Sequence, residues 1–128
     1  MKYVVIICAI LLSFMLFRSF SQQTGPELEP KAYAEELKNE SVTLLDVRTP
    51  EEYSDGHLKG AVLIDYQDST FETKVGKLDK NKPVYLYCHS GRRSAAAQEV
   101  MLRQGFKKVT NLKGGIVAWQ KAGMPIDK

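Results

Sequence analysis

The chain has 128 residues, 44% of them hydrophobic and 26% charged, which is enough for one packed domain. Its 18 basic and 15 acidic residues leave a net charge of only +3, too small a balance to argue for a nucleic-acid partner or an anionic membrane surface. Two histidines and two cysteines at these spacings make no zinc shell, so no metal and no other cofactor is expected.

Met1-Lys2 lead into an apolar run over residues 3–17, interrupted only by Ser13. As a helix that run reaches ~22 Å, short of a ~30 Å hydrocarbon core. Ser19-Phe20-Ser21 then sets small residues around a large one, so residues 1–21 read as a secretory signal cleaved after Ser21. The expected location is the periplasm. The alternative is an uncleaved anchor facing the periplasm, the one arrangement that ties the domain to a membrane. Cys8 lies within the apolar run and lacks the small preceding residues of a lipid-attachment site. Cleavage would remove Lys2 and Arg18 but no acidic residue, giving a net charge of +1. It would also leave Cys88 as the single cysteine, unable to form an internal disulfide. A lone exported thiol points to chemistry. Fractionation is expected to find the protein outside the cytoplasm with its N-terminus at or near Gln22. Recovery from the cytosol with residues 1–21 attached would contradict this.

Residues 22–29 are polar and rich in breakers and read as a linker, followed by one domain over residues 30–128. Tyr33, Ala34 and Leu37 fall at helical spacing after Pro30. Residues 42–47 form an apolar run that predicts a buried strand, and Pro50-Glu51-Glu52-Tyr53 starts a short helix with acids in its first turn. Residues 61–64 predict a strand, and Phe71, Val75 and Leu78 a helix ending before Asp79. Residues 84–87 predict the central strand, and a helix from Ala95 follows with Ala97, Val100 and Met101 inward, closed by Gly105. Residues 109–112 give the last strand and 116–121 the last helix. Alternation with short connections predicts an α/β domain, a parallel β-sheet with helices on both faces. Ligands in such sheets bind beyond the C-terminal strand ends, where Asp46 and Cys88 fall.

The strand Val84-Tyr85-Leu86-Tyr87 stops at Cys88, and His89-Ser90-Gly91-Arg92-Arg93-Ser94 leads to the helix. Loop N–H groups and a helix N-terminus favour an anion there, and a thiolate is an anion. The pKa of Cys88 is therefore expected below that of a free thiol. Two arginines in the same segment can hold a second anionic group beside the sulfur. Gly91 suits a positive φ or a close backbone approach, and His89 shapes the rim. The bland reading makes Cys88 a small buried hydrophobe and Arg92 a solvated cation. Asp46 and Arg48 are read as supporting residues, with Arg48 pairing with Glu51, Glu52 or Asp46 to fix the turn after the strand. His57 reads as a turn residue bonded to backbone, and Trp119 as packing for the last helix.

Cys88-His89-Ser90-Gly91-Arg92-Arg93-Ser94 resembles the active-site loop of the rhodanese sulfurtransferases. Two further segments are similar to that family. One is Asp46-Val47-Arg48-Thr49-Pro50-Glu51-Glu52-Tyr53 running into Gly56-His57-Leu58-Lys59-Gly60-Ala61; the other is Gly114-Gly115-Ile116 with Trp119. The resemblance covers roughly residues 30–126 and implies a rhodanese-like fold of the single-domain, exported type. It implies a thiosulfate sulfurtransferase whose nucleophile and sulfur carrier is Cys88. The partners would be a small anionic sulfur donor and a thiol or cyanide acceptor, acting on a monomer. Residues His89, Ser90, Gly91, Arg92, Arg93 and Ser94 would bind substrate, with Arg93 closing the loop and Arg92 at the variable position facing the donor's sulfonate. Two other functions stay open: a cysteine phosphatase or arsenate reductase, and a non-catalytic persulfide-binding module. Those phosphate-handling loops are Cys-x5-Arg, whereas Cys88 to Arg93 is one residue shorter.

Overall fold

The computed structural model describes residues 25–39 and 41–128; the signal or anchor reading of residues 1–21 and the start of the linker, residues 22–24, lie outside them. Short apolar runs become strands β1 (Glu27–Leu28), β2 (Thr43–Asp46), β3 (Val62–Leu63), β4 (Val84–Tyr87) and β5 (Val109–Leu112). The segments between them become helices α1 (Pro30–Leu37), α2 (Pro50–Asp55), α3 (Phe71–Val75), α4 (Arg92–Arg103) and α5 (Gly115–Lys121). All pairings are parallel, in the order β1-β5-β4-β2-β3, so β4 sits at the centre. Among the described residues no helix is long and apolar enough to cross a membrane.

The period-two alternation of strands divides the core in two. Val84, Leu86 and Cys88 face Phe71, Val75, Ala97, Val100 and Met101 from α3 and α4. Tyr85 and Tyr87 face Tyr33, Leu58, Ile116 and Trp119 on the α1 and α5 side. With both faces covered, the four residues of β4 are all buried, the expected state of a central parallel strand. Trp119 is buried and packs edge-on to Tyr33, and its Nε1–H donates to the Pro125 carbonyl at 2.8 Å.

Beyond one-residue differences at element ends, three features differ from the sequence reading. Glu27 and Leu28, at the end of the presumed linker, add an edge strand; Asn111 N–H donates to the Pro26 carbonyl and Lys113 N–H to that of Leu28. Two residues carry too little alternation to announce a strand. Helix α3 stops at Val75, and Leu78 packs on the core from the turn beyond it. Helix α4 begins at Arg92 rather than Ala95, because Gly91 takes φ +101° and turns the chain directly into the helix.

Candidate active site

Helix α4 opens where β4 ends, and the Cys88 sulfur takes the place of a capping side chain. The Gly91 N–H donates to Sγ at 3.1 Å and the Ser94 hydroxyl at 3.3 Å. Burial of Cys88, which is 1% exposed, pushes its thiol up. The Ser94 hydroxyl and the N–H groups of Ser94, Gly91 and Ser90 outweigh burial, and the pKa falls below its ordinary value. A thiolate is thus stabilised inside a buried cradle.

The first turn of α5 holds the back of this cradle. Ile116 N–H donates to the Cys88 carbonyl at 3.0 Å and Val117 N–H to that of His89 at 3.2 Å. Drawing those carbonyls toward α5 leaves the opposite side of the loop, rich in N–H groups, to the sulfur. The approach is close enough to exclude a side chain at Gly115. With φ at +64°, a Cβ there would lie 2.3 Å from the His89 oxygen. Gly114-Gly115 stands out in the sequence as a motif, but this close approach to the Cys88 loop appears only in the fold.

Arg92, Arg93 and Ser94, expected in the loop, form the first turn of α4. Arg93 does not face open solvent: its Nη1 and Nη2 donate to the two Glu52 oxygens at 2.7 and 2.9 Å. This bidentate pair ties α4 to the start of α2. The Arg93 bond, opposed by burial and aided by the Thr49 backbone, holds the Glu52 carboxyl down at about 2. Glu52 is itself fixed by a reciprocal cap, accepting from Thr49 N–H while its own N–H donates to Thr49 Oγ1. The sequence marks Glu52 as a first-turn acid and one possible partner of Arg48; its pairing with Arg93 appears only in the fold. Arg92 is exposed and its side chain makes no hydrogen bond among the described residues, and His89 and Ser90 are exposed beside it.

Asp46 and Arg48 form a second, separate constellation. Arg48 donates through Nε and Nη2 to Asp46, and through Nη2 to the Gly56 carbonyl at 2.6 Å. The Tyr87 hydroxyl donates to Asp46 Oδ2 at 2.6 Å and accepts from Leu58 N–H at 3.0 Å. Burial opposes the charge on Arg48, but bonding to Asp46 outweighs it and raises the guanidinium above its usual range. Burial, then the Asp46 charge, raises the Tyr87 phenol far above its own. None of these groups bonds to Sγ; they lock the ends of β2 and β4 and the turn after α2. His57 bonds through Nδ1 to the Tyr53 carbonyl at 2.9 Å and stacks on the Tyr53 ring, as a turn residue should.

Beside the loop lies a cleft of about 290 Å³ lined by His89, Glu52, Asp55, Gln120, Ile116 and Ile126, among others. Among the described residues, no three His, Cys, Asp or Glu side chains group closely enough to hold a metal ion. The site offers one polarised sulfur and fixed N–H donors, with the exposed Arg92 in the adjoining first turn of α4, an arrangement suited to nucleophilic attack by sulfur on a small anion.

The fold and this site define a class of protein, and comparison with known proteins agrees. The profile of the Rhodanese-like domain matches residues 29–122, and the chain belongs to that family. It is 34% identical over 101 residues to a protein of Allochromatium vinosum named sulfurtransferase, covering 78% of this chain and 92% of that one. It is 40% identical over 95 residues to the YrkF protein of Bacillus subtilis, covering 73% of this chain but only half of YrkF's length. The crystal structure of a rhodanese-related protein from Thermoplasma volcanium superposes with a TM-score of 0.71 at 29% identity, covering 80% of this chain and 97% of that one. The architecture is therefore the rhodanese-like α/β fold, a parallel five-stranded sheet flanked by helices.

Proposed function

We propose that this protein is a thiosulfate sulfurtransferase that carries sulfane sulfur on Cys88. The observation that carries this reading is the size of the cradle. Donors at 3.1 and 3.3 Å already enclose a sulfur whose residue is 1% exposed. A slim donor ending in one sulfur atom suits so narrow an opening; a tetrahedral phosphate would crowd the donors. The relative from Allochromatium vinosum named sulfurtransferase supports the same direction.

In the first half-reaction the Cys88 thiolate attacks the outer sulfur of thiosulfate. A new S–S bond forms, the donor's own S–S bond breaks, and its electron pair leaves with sulfite. Charge builds on the outer persulfide sulfur, where the cradle N–H groups are preorganised. Arg92 supplies the attraction for the donor's sulfonate, since the charge of Arg93 is already matched by Glu52. In the second half-reaction a thiolate or cyanide attacks the outer sulfur and releases the Cys88 thiolate. The cleft beside His89 gives room for a thiol-bearing acceptor larger than cyanide. We place this chemistry in an exported monomer, on the strength of residues 1–21 and the single cysteine outside them.

The test sets sulfur against phosphate. Purified residues 22–128 should convert thiosulfate and cyanide to thiocyanate and leave an aryl phosphate essentially unhydrolysed. Faster hydrolysis of the aryl phosphate than turnover of thiosulfate would replace this reading with the phosphatase one.

A further inference from the structure

Strand β5 is buried along its length, yet two of its four residues are polar, Thr110 and Asn111. Asn111 pairs in register with Leu86 of β4, two residues before Cys88. Its Nδ2 donates to the Gly91 carbonyl at 3.2 Å. That carbonyl belongs to the residue whose N–H points at the Cys88 sulfur from 3.1 Å. The amide cannot be turned over, because Oδ1 would then meet another acceptor. In the orientation it holds, Oδ1 is buried without a hydrogen-bond partner among the described residues. A buried acceptor in that state costs stability, so packing does not account for an asparagine here.

We propose that Asn111 is a positioning residue that holds Gly91 in the backbone geometry directing its N–H at the Cys88 sulfur. Gly91 sits at φ +101°, outside any helix, and its carbonyl also accepts from Ala95 N–H at 3.2 Å, the first turn of α4. The Asn111 bond anchors that carbonyl from a second direction, from a rigid strand rather than from the helix alone. Gly91, which supplies one of the sulfur's backbone donors beside those of Ser94 and Ser90, is thereby held from both the helix and the strand. This rests on the sulfur-transfer reading only for its purpose; the anchoring itself is tested without any sulfur donor.

The structure separates this role from a merely structural one. Replacing Asn111 by leucine removes the anchor and the unpaired Oδ1 together, while Ala95 still satisfies the Gly91 carbonyl. Leucine is close in size, and the side chain borders a groove of about 460 Å³ between β1 and α4 that can absorb the change in shape. Stability should hold or rise while thiol reactivity falls. The charged surroundings of the sulfur, Arg93 with Glu52 and Asp65 beyond it, are left in place.

The experiment measures iodoacetamide alkylation of Cys88 against pH in the full chain, read on the Cys88 peptide by mass spectrometry, for wild type and Asn111→Leu. The expected result is a profile displaced to higher pH, with alkylation at pH 7 slowed about three- to tenfold and no fall in melting temperature. An unchanged profile in the folded variant would overturn the proposal. In the unmodified protein, the Asn111 side-chain and Gly91 backbone 15N resonances should both shift with the midpoint of the Cys88 titration. An Asn111 side chain that ignores that titration would overturn the proposal even if the variant failed to fold. Because alkylation uses no sulfur donor, a wild-type protein that transfers no sulfur while the two alkylation profiles differ as expected would count against the proposed function alone.

Discussion

Cys88→Ser is expected to lower thiosulfate turnover by at least ~10³-fold while the fold and melting behaviour stay near wild type. The substitution is close in size, and a serine oxygen can still accept from Gly91 N–H and Ser94 Oγ–H, the two bonds that tie the cradle together. What it removes is the polarisable anion. A serine hydroxyl remains protonated near neutral pH, and the N–H donors that favour a thiolate have no comparable charge to stabilise. Stopped assays for thiocyanate, run beside thermal melts, separate the two effects. Turnover at the wild-type rate would remove Cys88 from the mechanism.

Gly115→Ala should produce the largest loss of stability of any glycine-to-alanine change among the described residues. The residue holds φ +64°, which alone costs a side chain about 1–2 kcal/mol. The new Cβ would also lie 2.3 Å from the His89 oxygen and 2.6 Å from the Cys88 oxygen, both backbone atoms that cannot swing aside. Overpacking of this kind adds a further ~1–3 kcal/mol, for a total near 3–5 kcal/mol. Gly123→Ala is the control: its φ of +75° is close to that of Gly115, but no atom lies within 4 Å of its Cβ position. That variant should lose only the conformational part, so the gap between the two melting curves isolates the steric overlap. The overlap should also reach the sulfur, by pushing the Cys88 and His89 carbonyls off Ile116 and Val117. Equal losses in the two variants would mean that α5 does not brace the loop.

Much of this was readable from sequence because the signals are local. Strand-length apolar runs ending at Asp46 and Cys88, helix starts at Pro30 and Pro50, and a glycine three residues after the cysteine specify their elements almost alone. What stayed hidden depends on contacts between distant segments. Glu52 looked like a helix-start acid, and nothing in its neighbourhood says that Arg93 reaches it across 41 positions. Asn111 gave one clue, a polar residue in a strand that had to be buried, but its partner Gly91 appears only once β5 lies beside β4. The start of α4 is hidden for a similar reason: arginine favours helices, but Arg92 and Arg93 follow directly on a glycine in a cysteine loop, and only the turn taken at Gly91 puts them in the first turn.

The central claim is that Cys88 carries sulfur covalently, and intact-mass measurement tests it most directly. After exposure to thiosulfate and removal of small molecules, purified residues 22–128 should gain the mass of one sulfur atom, located on the Cys88 peptide. Cyanide or a dithiol should strip it, and Cys88→Ser should show no gain. A wild-type protein that turns over thiosulfate without ever acquiring this mass, or a Cys88→Ser variant that acquires it, would contradict the account.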